Sequence, residues 1–435
     1  MVPLDSAVNV DFPFIVRRFE LPIPMIQWVV ISYVLTQTAL LLTFGRIGDM
    51  LGYRRIFLIG TGWSTLAFVA CAVAPSYPVL LAARVAQGIG AGLILSCGPA
   101  LATSLFPEAM RARVLGLYMM MFGIGGALGP AVFGLLLEQF GWSAVFSLRA
   151  PIALAAFLLA WTLPSRPAAE REGSFDAVGG ALLAVSLGCM LLALNQLGAL
   201  PAHTGWLALF SLTATLGFTL FHRQEQRFPR PIIDLSYFRN QGFTAVNLAF
   251  ALANLAGFAI MLLVPFYLSQ ISGLSVPAGG LILSASPVGT IVAAPLGGRL
   301  ATQRSPWAVG LAGMLLSGIG LAGVSLSTSE PDIPLLAGPM FVQGFGTGLL
   351  QVAYFDIVTA ALPVRNRGVA GALGMATRSI GTVTGATLLM LVFQTLRGTG
   401  SLSPAQAFVS AFQHTFQFAA AVPIILVVAG LLRRC

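Results

Sequence analysis

The sequence predicts an all-α membrane protein of about fourteen helical spans, arranged as two six-helix bundles with two extra helices between them. Composition indicates a membrane protein, because 57% of the 435 residues are hydrophobic and only 9% are charged, whereas soluble domains carry roughly 25% charged residues. Apolar runs long enough to cross a bilayer recur along the whole chain. A sequence repeat relates the first part of the chain to the second, which indicates duplication of one helical bundle.

Thirteen apolar segments are predicted to span the membrane, because each offers close to the ~20 residues that a hydrocarbon core of ~30 Å requires. They lie at residues 26–44, 56–74, 79–105, 112–137, 144–163, 177–200, 205–222, 243–268, 278–298, 307–327, 333–361, 368–396 and 411–432. A fourteenth segment, residues 1–16, would cover only about 24 Å at 1.5 Å per residue. We therefore expect that the first helix is truncated or that its true start lies upstream.

Basic residues predict the orientation of these spans. The chain has no lysine, so all 23 basic residues are arginines. When the loops are assigned alternately to the two sides, 17 arginines fall on one side, 4 on the other and 2 within spans. Because basic loops stay in the cytoplasm, we expect a multi-pass protein of the cytoplasmic (inner) membrane with a cytoplasmic C-terminus. Topology also accounts for the net charge of +9, so no nucleic-acid partner is expected.

Metal and nucleotide sites are not expected. The four cysteines and three histidines are widely separated and match no metal-ligand spacing, so we expect no metal and no cofactor. Glycine-rich runs at residues 88–92 and 123–129 resemble nucleotide-binding loops superficially, but the P-loop lysine is missing and close helix packing explains them better. An enzyme or a receptor would need clustered His, Asp and Ser chemistry or a sensory domain, so neither is expected.

An internal repeat predicts the domain organisation. The run QGIGAGL at residues 87–93 recurs as QGFGTGL at 343–349, an offset of 256, and Pro107 corresponds to Pro363 at the same offset. Gly125 and Gly129 likewise correspond to Gly381 and Gly385. We expect one bundle at residues 1–163, with its first helix incomplete, and a second at 241–435. Residues 164–240 would hold the two extra helices and their flanking loops.

Residues 45–55, GRIGDMLGYRR, are the most informative stretch. One acid, three arginines and three glycines separate two apolar runs, and because lipid cannot solvate such charges, we predict a tight loop at one membrane face. The pattern resembles the loop between the second and third helices of major facilitator superfamily transporters. We expect the loop to latch helices together in one of two access states, with Asp49 paired to an arginine or placed at a helix N-terminus. The predicted latch residues are Gly45, Asp49, Gly52, Arg54 and Arg55.

Three further motifs carry the same resemblance over nearly the whole chain. Arg84, Gln87 and the glycines after them resemble the fourth-helix motif of proton-coupled facilitators. Residues 4–10, LDSAVNV, together with Gln27, Trp28 and Tyr33, resemble the first two helices of the 14-span drug:proton antiporter branch. The run GGALGP at residues 125–130 resembles the fifth-helix motif of the antiporters. Its residues, which would pack and bend the helix, are Gly125, Gly129, Pro130 and Gly134.

The resemblance implies the major facilitator fold and proton-driven export of broad apolar or cationic compounds. The partners would be a small-molecule substrate, protons and the lipid bilayer, and we expect a monomer. Two positions depart from the family pattern: Asp11 stands where a small apolar residue is usual, and Thr302 replaces the acid in the second copy of the latch sequence. An exporter or importer of one specific metabolite remains the alternative.

Ionisable residues inside spans are candidates for proton coupling, because they are costly in lipid. Asp5 is placed near mid-depth by its distance from Arg17, and exchange of its proton for substrate would be the coupling step; a structural cap is the alternative. Asp11 is either a second proton or cation site or a surface group. Arg84 needs an acceptor, which would be Asp5, Asn9 or a backbone carbonyl of the first helix, and it would then tune Asp5; a purely structural pair is the alternative.

The second bundle contains two charged residues within spans, Asp356 and Arg378, which are expected to pair across adjacent helices. They would belong to the substrate cavity or would form a packing ion pair near the cytoplasmic end. Neutral polar residues can line the cavity as well, although such residues also form hydrogen bonds between helices. The candidates are Asn9, Gln27, Tyr33, Gln87, Asn195, Gln196, Asn247, Asn254 and Gln343.

Overall fold

The computed structural model describes residues 12–21, 25–164, 174–197, 204–271, 276–328, 332–397 and 403–432, with the backbone alone at 12–14, 130–140, 276–277 and 432. Within these ranges every regular element is helical. Thirteen helical stretches are long and apolar enough to cross a membrane, which confirms the all-α membrane class. The fourteenth predicted span is described only from Phe12 onward, as α1 Phe12–Phe19.

Helix is the form that these apolar runs take because it pairs every interior backbone N–H and C=O within one segment, as lipid requires. The first bundle continues with α2 Trp28–Leu51, α3 Tyr53–Ala72, α4 Tyr77–Ser104, α5 Arg111–Phe140, α6 Ala144–Ser147 and α7 Arg149–Trp161. The two extra helices are α8 Ala177–Leu197 and α9 Thr204–Arg227. The second bundle consists of α10 Gln241–Gln270, α11 Val276–Leu283, α12 Ala285–Gln303, α13 Pro306–Val324, α14 Ile333–Ala361, α15 Arg367–Arg397 and α16 Pro404–Leu432.

Two of the predicted spans are each divided into two helices, and proline explains both breaks. α6 and α7 are separated at Leu148, and α11 and α12 at Ser284. Pro151 and Pro287 have no N–H to donate to the carbonyl four residues earlier, which lies just before each break. The chain therefore turns slightly at these points while remaining within one span.

The predicted loop at residues 45–55 is almost entirely helical, which corrects the sequence prediction. α2 continues to Leu51 and α3 begins at Tyr53, so that Gly52 alone separates them. Gly52 has a φ of 94°, a conformation that glycine adopts readily and other residues rarely do. The motif charges therefore lie at two helix ends rather than in a loop, and the backbone stays paired up to the membrane face.

The extra helices α8 and α9 pack mainly against each other, and α8 packs against α2 and α15. The hydroxyl of Thr43 in α2 donates to the carbonyl of Gly180 in α8 over 3.5 Å. α9 exposes large apolar side chains such as Leu212, which is 68% exposed, and a membrane-spanning helix presents such side chains to lipid. The pair is thus attached to the bundles through α8.

The two bundles meet mainly along two helix pairs, α2 with α15 and α5 with α12. A Cβ atom on Gly45 would lie 2.7 Å from the carbonyl oxygen of Gly368, and one on Gly298 would lie 2.7 Å from that of Ala112. Gly45 and Gly298 correspond in the repeat at an offset of 253, and Ala112 and Gly368 at 256. The duplication therefore yields two equivalent close contacts between the bundles.

These contacts lie at the arginine-rich end, which we define as the end that carries Arg54, Arg111 and Arg367. On α15, all of residues 367–377 are buried, whereas residues 378–380 are only half-buried. On α4, all of residues 90–101 are buried. The bundles are therefore closed on each other at the arginine-rich end, and α15 is less buried beyond it.

Replacing Gly45 with leucine is expected to force the arginine-rich end apart, because the new side chain would overlap the Gly368 carbonyl and the Ala372 side chain. The change can be followed by pulsed EPR between spin labels on cysteines introduced at exposed Arg55 and Arg365, after removal of the native cysteines. We expect a longer and broader distance distribution than in the parent protein.

The control for this experiment is Gly188→Leu, because a Cβ atom there meets nothing within 4 Å. It should leave the distance distribution unchanged. A Gly45→Leu variant that folds and keeps the parent distance would show that this contact does not hold the end closed.

Candidate functional site

The carboxylate of Asp49 joins the two bundles at the arginine-rich end. One oxygen accepts hydrogen bonds from the backbone N–H of Gly368 (2.7 Å) and the hydroxyl of Tyr53 (2.7 Å), and the other accepts from the N–H of Val369 (3.1 Å). The first N–H groups of a helix have no partner within the helix and carry the positive end of its dipole. Of the two expected arrangements for Asp49, the structure has the one at a helix N-terminus, that of α15.

Two arginines related by the repeat form a second set of contacts across the bundles. Arg111 begins α5 and Arg367 begins α15, and they correspond at an offset of 256. Arg111 donates to Asp356 of the opposite bundle over 2.8 Å and also pairs with Glu108 beside it. Arg367 pairs with Glu108, again across the bundles. Each bundle thus supplies an arginine to an acid of the other.

This arrangement corrects the expected pairing of Asp356 with Arg378. Asp356 is 5% exposed and its partner is Arg111. Arg378 instead places its guanidinium 5.3 Å from the centre of the Phe122 ring in α5. Asp356 lies on α14 and Arg378 on α15. Each of them contacts a different part of α5, Asp356 at Arg111 and Arg378 at Phe122. Arg378 therefore lies between the bundles, where the burial of α15 decreases.

Arg46 connects this region to the extra helices. It is 6% exposed and interacts electrostatically with both Asp49 and Glu225 at the end of α9. Glu225 accepts hydrogen bonds from the backbone N–H groups of Ile232 (3.1 Å) and Ile233 (3.4 Å). The acid thereby closes the turn after α9 and lies near the buried arginine. The extra helices are thus tied to the same end of the molecule as Asp49.

The two predicted latch arginines, Arg54 and Arg55, make no described contact between the bundles. Arg54 donates to the backbone carbonyls of Ala160 (3.3 Å) and Trp161 (2.5 Å) at the end of α7, within its own bundle. Carbonyls at a helix C-terminus lack helical partners and attract cations. Arg55 is exposed. Among the predicted latch residues, the cross-bundle contacts come from Gly45 and Asp49, while Gly52 makes the turn.

Arg84 is fully buried in α4. Its Nε donates to the carbonyl of Val29 (2.7 Å) and its Nη1 to the side-chain oxygen of Gln87 (2.6 Å). The guanidinium also lies 4.5 Å from the centre of the Tyr33 ring, a distance typical of a cation–π contact. This carbonyl acceptor belongs to α2. Asp5, Asn9 and Asp11 lie outside the described residues, so their roles stay predictions.

The remaining polar candidates occupy different environments. Gln27 is exposed near the end of the molecule opposite the arginine-rich end. Gln343, the repeat partner of Gln87, accepts from Ser286 (2.8 Å) and donates to Thr347 (2.9 Å) within the second bundle. Gln87 and Gln343 are 2% and 3% exposed, and each contacts a neighbouring helix of its own bundle, Gln87 through Cys71 and Gln343 through Ser286. Asn247 accepts from the Tyr354 hydroxyl (2.7 Å), also within the second bundle.

The fifth-helix motif lies on α5, which is continuous from Arg111 to Phe140. Gly125 and Gly129 are buried, and the side-chain surroundings of Pro130 and the packing of Gly134 lie outside the described part of the molecule. Closer to the arginine-rich end, a Cβ atom on Gly116 would lie 2.6 Å from the carbonyl of Ala294 in α12. The role of the motif in antiport stays a prediction.

Comparison with known proteins identifies the family. The family model of the Major Facilitator Superfamily matches residues 4–386 and 246–434. The chain belongs to the Major Facilitator Superfamily. The riboflavin transporter RibZ of Clostridioides difficile is 29% identical to this transporter. The alignment covers 97% of the present chain and 92% of RibZ. The multidrug resistance protein Stp of Mycobacterium tuberculosis is 30% identical over 89% of this chain and 73% of Stp.

The fold agrees with this membership. The crystal structure of the human organic anion transporter MFSD10 (TETRAN) superposes with a TM-score of 0.66 and covers 96% of this chain and 89% of its own, at 16% identity. The likeness confirms the major facilitator fold. Family membership places the chain among membrane transporters of small molecules rather than among enzymes.

Sequence patterns contained a signal for the cross-bundle arginines of this transporter, although they were not singled out. Pro107 and Pro363 correspond in the repeat, and an arginine follows each of them by four residues. A short 3-10 turn after each proline, Glu108–Met110 or Val364–Asn366, leads into α5 or α15. The acids that they bind have no such symmetry, because Glu108 corresponds to Val364 and Asp356 to Ala100. The repeat therefore could not show which acids Arg111 and Arg367 bind.

Exchanging the charges of the Arg111–Asp356 pair tests its contribution to the transporter. Asp356→Ala is expected to destabilise the folded protein by about 3 kcal/mol, the lower end for a broken buried pair, because Arg111 is 18% exposed and keeps Glu108 as a partner. The combination Arg111→Asp with Asp356→Arg should recover part of the loss. Thermal unfolding in detergent would measure both effects.

Arg223→Ala is the matched control, since Arg223 is exposed and its removal should leave the unfolding temperature unchanged. A double exchange that is no more stable than the sum of its single variants would contradict a direct pair.

Proposed function

We propose that this transporter is a proton-coupled exporter of small apolar or cationic compounds that works by alternating access. The observation that carries the proposal is the reciprocal set of polar contacts by which two duplicated bundles close on each other at one end. In transporters built from repeats, one bundle rocks against the other around a site near the bilayer midplane. Contacts of this kind can break and re-form as the bundles rock, whereas contacts within a bundle are kept.

We place the arginine-rich end and the C-terminus in the cytoplasm, because cytoplasmic loops carry the excess of basic residues. The conformation described here would then be closed to the cytoplasm. Export requires the opposite state as well, so that a compound can enter from the cytoplasm or the inner leaflet. The cytoplasmic membrane is the compartment that this orientation fits.

Opening the cytoplasmic end would break the Asp49 cap and the pairs that Arg111 and Arg367 form across the bundles. A hydrogen bond to a charged group contributes about 1.5–3 kcal/mol, so these contacts favour the closed state by several kcal/mol. A ligand shifts such an equilibrium only by its difference in affinity for the two states. Substrate and proton together must therefore bind the open state more favourably.

Proton coupling is assigned to Asp5, with Asp11 as a second site. Arg84 would support them as a buried cation whose described partners are a carbonyl, the Gln87 amide and the Tyr33 ring. Loss of a proton from a buried carboxyl creates a charge that a nearby arginine stabilises. Such a change in charge at the first helix is the event that we couple to rocking.

The substrate would lie between the bundles, near the half-buried side chains of Arg378 and Phe122. Export of drug-like compounds is supported by the likeness to Stp, which is named a multidrug resistance protein. The likeness to a riboflavin transporter over nearly the whole chain favours a second candidate, transport of one specific metabolite. A strain without other pumps would separate the two. Lower intracellular ethidium on expression supports multidrug export, and release of a single metabolite without dye movement supports the alternative.

The variant Asp5→Asn is expected to abolish proton-driven export while leaving the protein in the membrane, because the amide cannot bind and release a proton near neutral pH. Ethidium transport into proteoliposomes with an imposed pH gradient measures this. Asp234→Asn is the control, since Asp234 is exposed and its oxygen accepts from the N–H of Ser236, a role that an amide keeps. Unchanged transport by Asp5→Asn would remove Asp5 from the mechanism.

The variant Asp49→Ala is expected to slow transport without removing substrate binding, because it leaves the N–H groups of Gly368 and Val369 without their acceptor. Loss of a helix cap costs about 0.5–2 kcal/mol. Asp49→Asn should recover part of the rate, since asparagine also caps helices. Transport rate and equilibrium ethidium binding, measured on the same preparations, test this. Lost binding in a folded Asp49→Ala protein would contradict the separation of latch and substrate site.

A further inference from the structure

The second bundle contains a cavity of about 380 Å³ that is separate from the contact between the bundles. It lies at the arginine-rich end, where α10 and α13 begin and α14 and α16 end. Its walls include Leu248 of α10, Trp307 and Gly310 of α13, Tyr354 of α14 and Ala429 of α16. A volume of this size is within the range of small-molecule binding sites.

The cavity lies between α10 and α16 at one end of these helices. At the opposite end of the molecule the two helices touch, with the rings of Tyr267 and Phe412 stacked at 5.0 Å between centres. Toward the arginine-rich end, small residues leave the space unfilled: a Cβ atom on Gly310 would meet Ala353 at an ordinary 3.5 Å. Leu248 lines the cavity and is 57% exposed. The cavity is therefore open on the side of α10 that faces lipid.

The chemistry of the lining selects the occupant. The described lining is apolar apart from Gln241, Thr244, the Trp307 indole and the Tyr354 hydroxyl, and the last already donates to Asn247. None of these lining residues carries a charge, so a cationic compound would find no counter-ion there. Just outside, exposed Arg239 stands between two lining residues, Phe238 and Gln241.

We propose that this cavity holds an acyl chain of an anionic phospholipid from the leaflet at the arginine-rich end, with the headgroup phosphate on Arg239. An acyl chain suits an uncharged lining that opens to lipid, and an anionic headgroup is attracted by an arginine at the membrane surface. Tryptophan is typical of this depth, because its ring suits the boundary between tails and headgroups. Trp307 occupies this position in the cavity wall.

A bound chain would stabilise the closed arginine-rich end through α14. Tyr354, in the cavity wall, stacks on Phe250 with 3.7 Å between ring centres. The next two residues point away from the cavity: Phe355 packs against Gly374 of α15 and Asp356 pairs with Arg111. A chain packed against one face of α14 thus supports the face that meets the other bundle. Lipid composition would then influence how readily that end opens.

Quenching of Trp307 fluorescence by brominated acyl chains tests the proposal in the full-length protein. The other five tryptophans are replaced by phenylalanine, and the protein is reconstituted in vesicles that contain brominated phosphatidylglycerol or brominated phosphatidylcholine at equal mole fraction. We expect stronger quenching by the anionic lipid. Arg239→Gln should abolish that difference, and Gly310→Leu, which fills the cavity, should remove most of the quenching.

The matched control is Gly338→Leu in α14, where a Cβ atom meets nothing within 4 Å. In this variant the Trp307 fluorescence should be quenched as strongly as in the parent protein. If Gly310→Leu does not reach the membrane, Ala245→Leu fills the same cavity from α10. Equal quenching in the filled variant and the control would overturn the proposal. So would relief of quenching by ethidium, because the cavity would then take the transported compound instead of lipid.

Discussion

One buried carboxylate joins the two halves of this transporter. Asp49 is 1% exposed, at a depth where neither water nor lipid can satisfy it, and its partners are the free N–H groups that begin a helix of the opposite bundle. Such groups are available only when the bundles are closed at that end. The same need for partners explains why Arg111 and Arg367 reach across to acids. The closed conformation is thus held by polar groups that each bundle alone leaves incomplete.

Duplication explains why the closed end has two similar sides. Close approach of α2 to α15 and of α5 to α12 depends on glycines that correspond in the repeat, Gly45 and Gly298. The polar contacts are less symmetric, because Thr302 stands in place of Asp49, and it donates to the carbonyl of Gly298 in its own helix. One side therefore has a charged helix cap, and the other has no such cap but has the Arg111–Asp356 pair at the start of α5. The extra helices add Glu225 near Arg46 on the side of the Asp49 cap.

One pairing prediction depended on closeness along the chain and was wrong for that reason. Asp356 and Arg378 lie on consecutive helices, which made them natural partners, but Arg111 from 245 residues earlier takes the acid. Arg54 lies beside Asp49 in the motif, yet it caps α7 within its own bundle. The motif itself is helical rather than a loop, because a single glycine with positive φ is enough to separate α2 from α3. Local sequence cannot show which helix end will come to lie opposite a given charge.

The sequence by itself determined the membrane class, the thirteen described spans, the duplication and the family, since these follow from apolar length, repeated glycines and a specific charge pattern. Lipid leaves few alternatives to helix, so the secondary structure followed from composition. Only the tertiary structure decided the partners of the buried charges and the cavity beside α14. These partners and this cavity depend on how helices far apart in sequence pack together. A charged group in the membrane needs a partner, and the packing decides which groups lie close enough to pair with it.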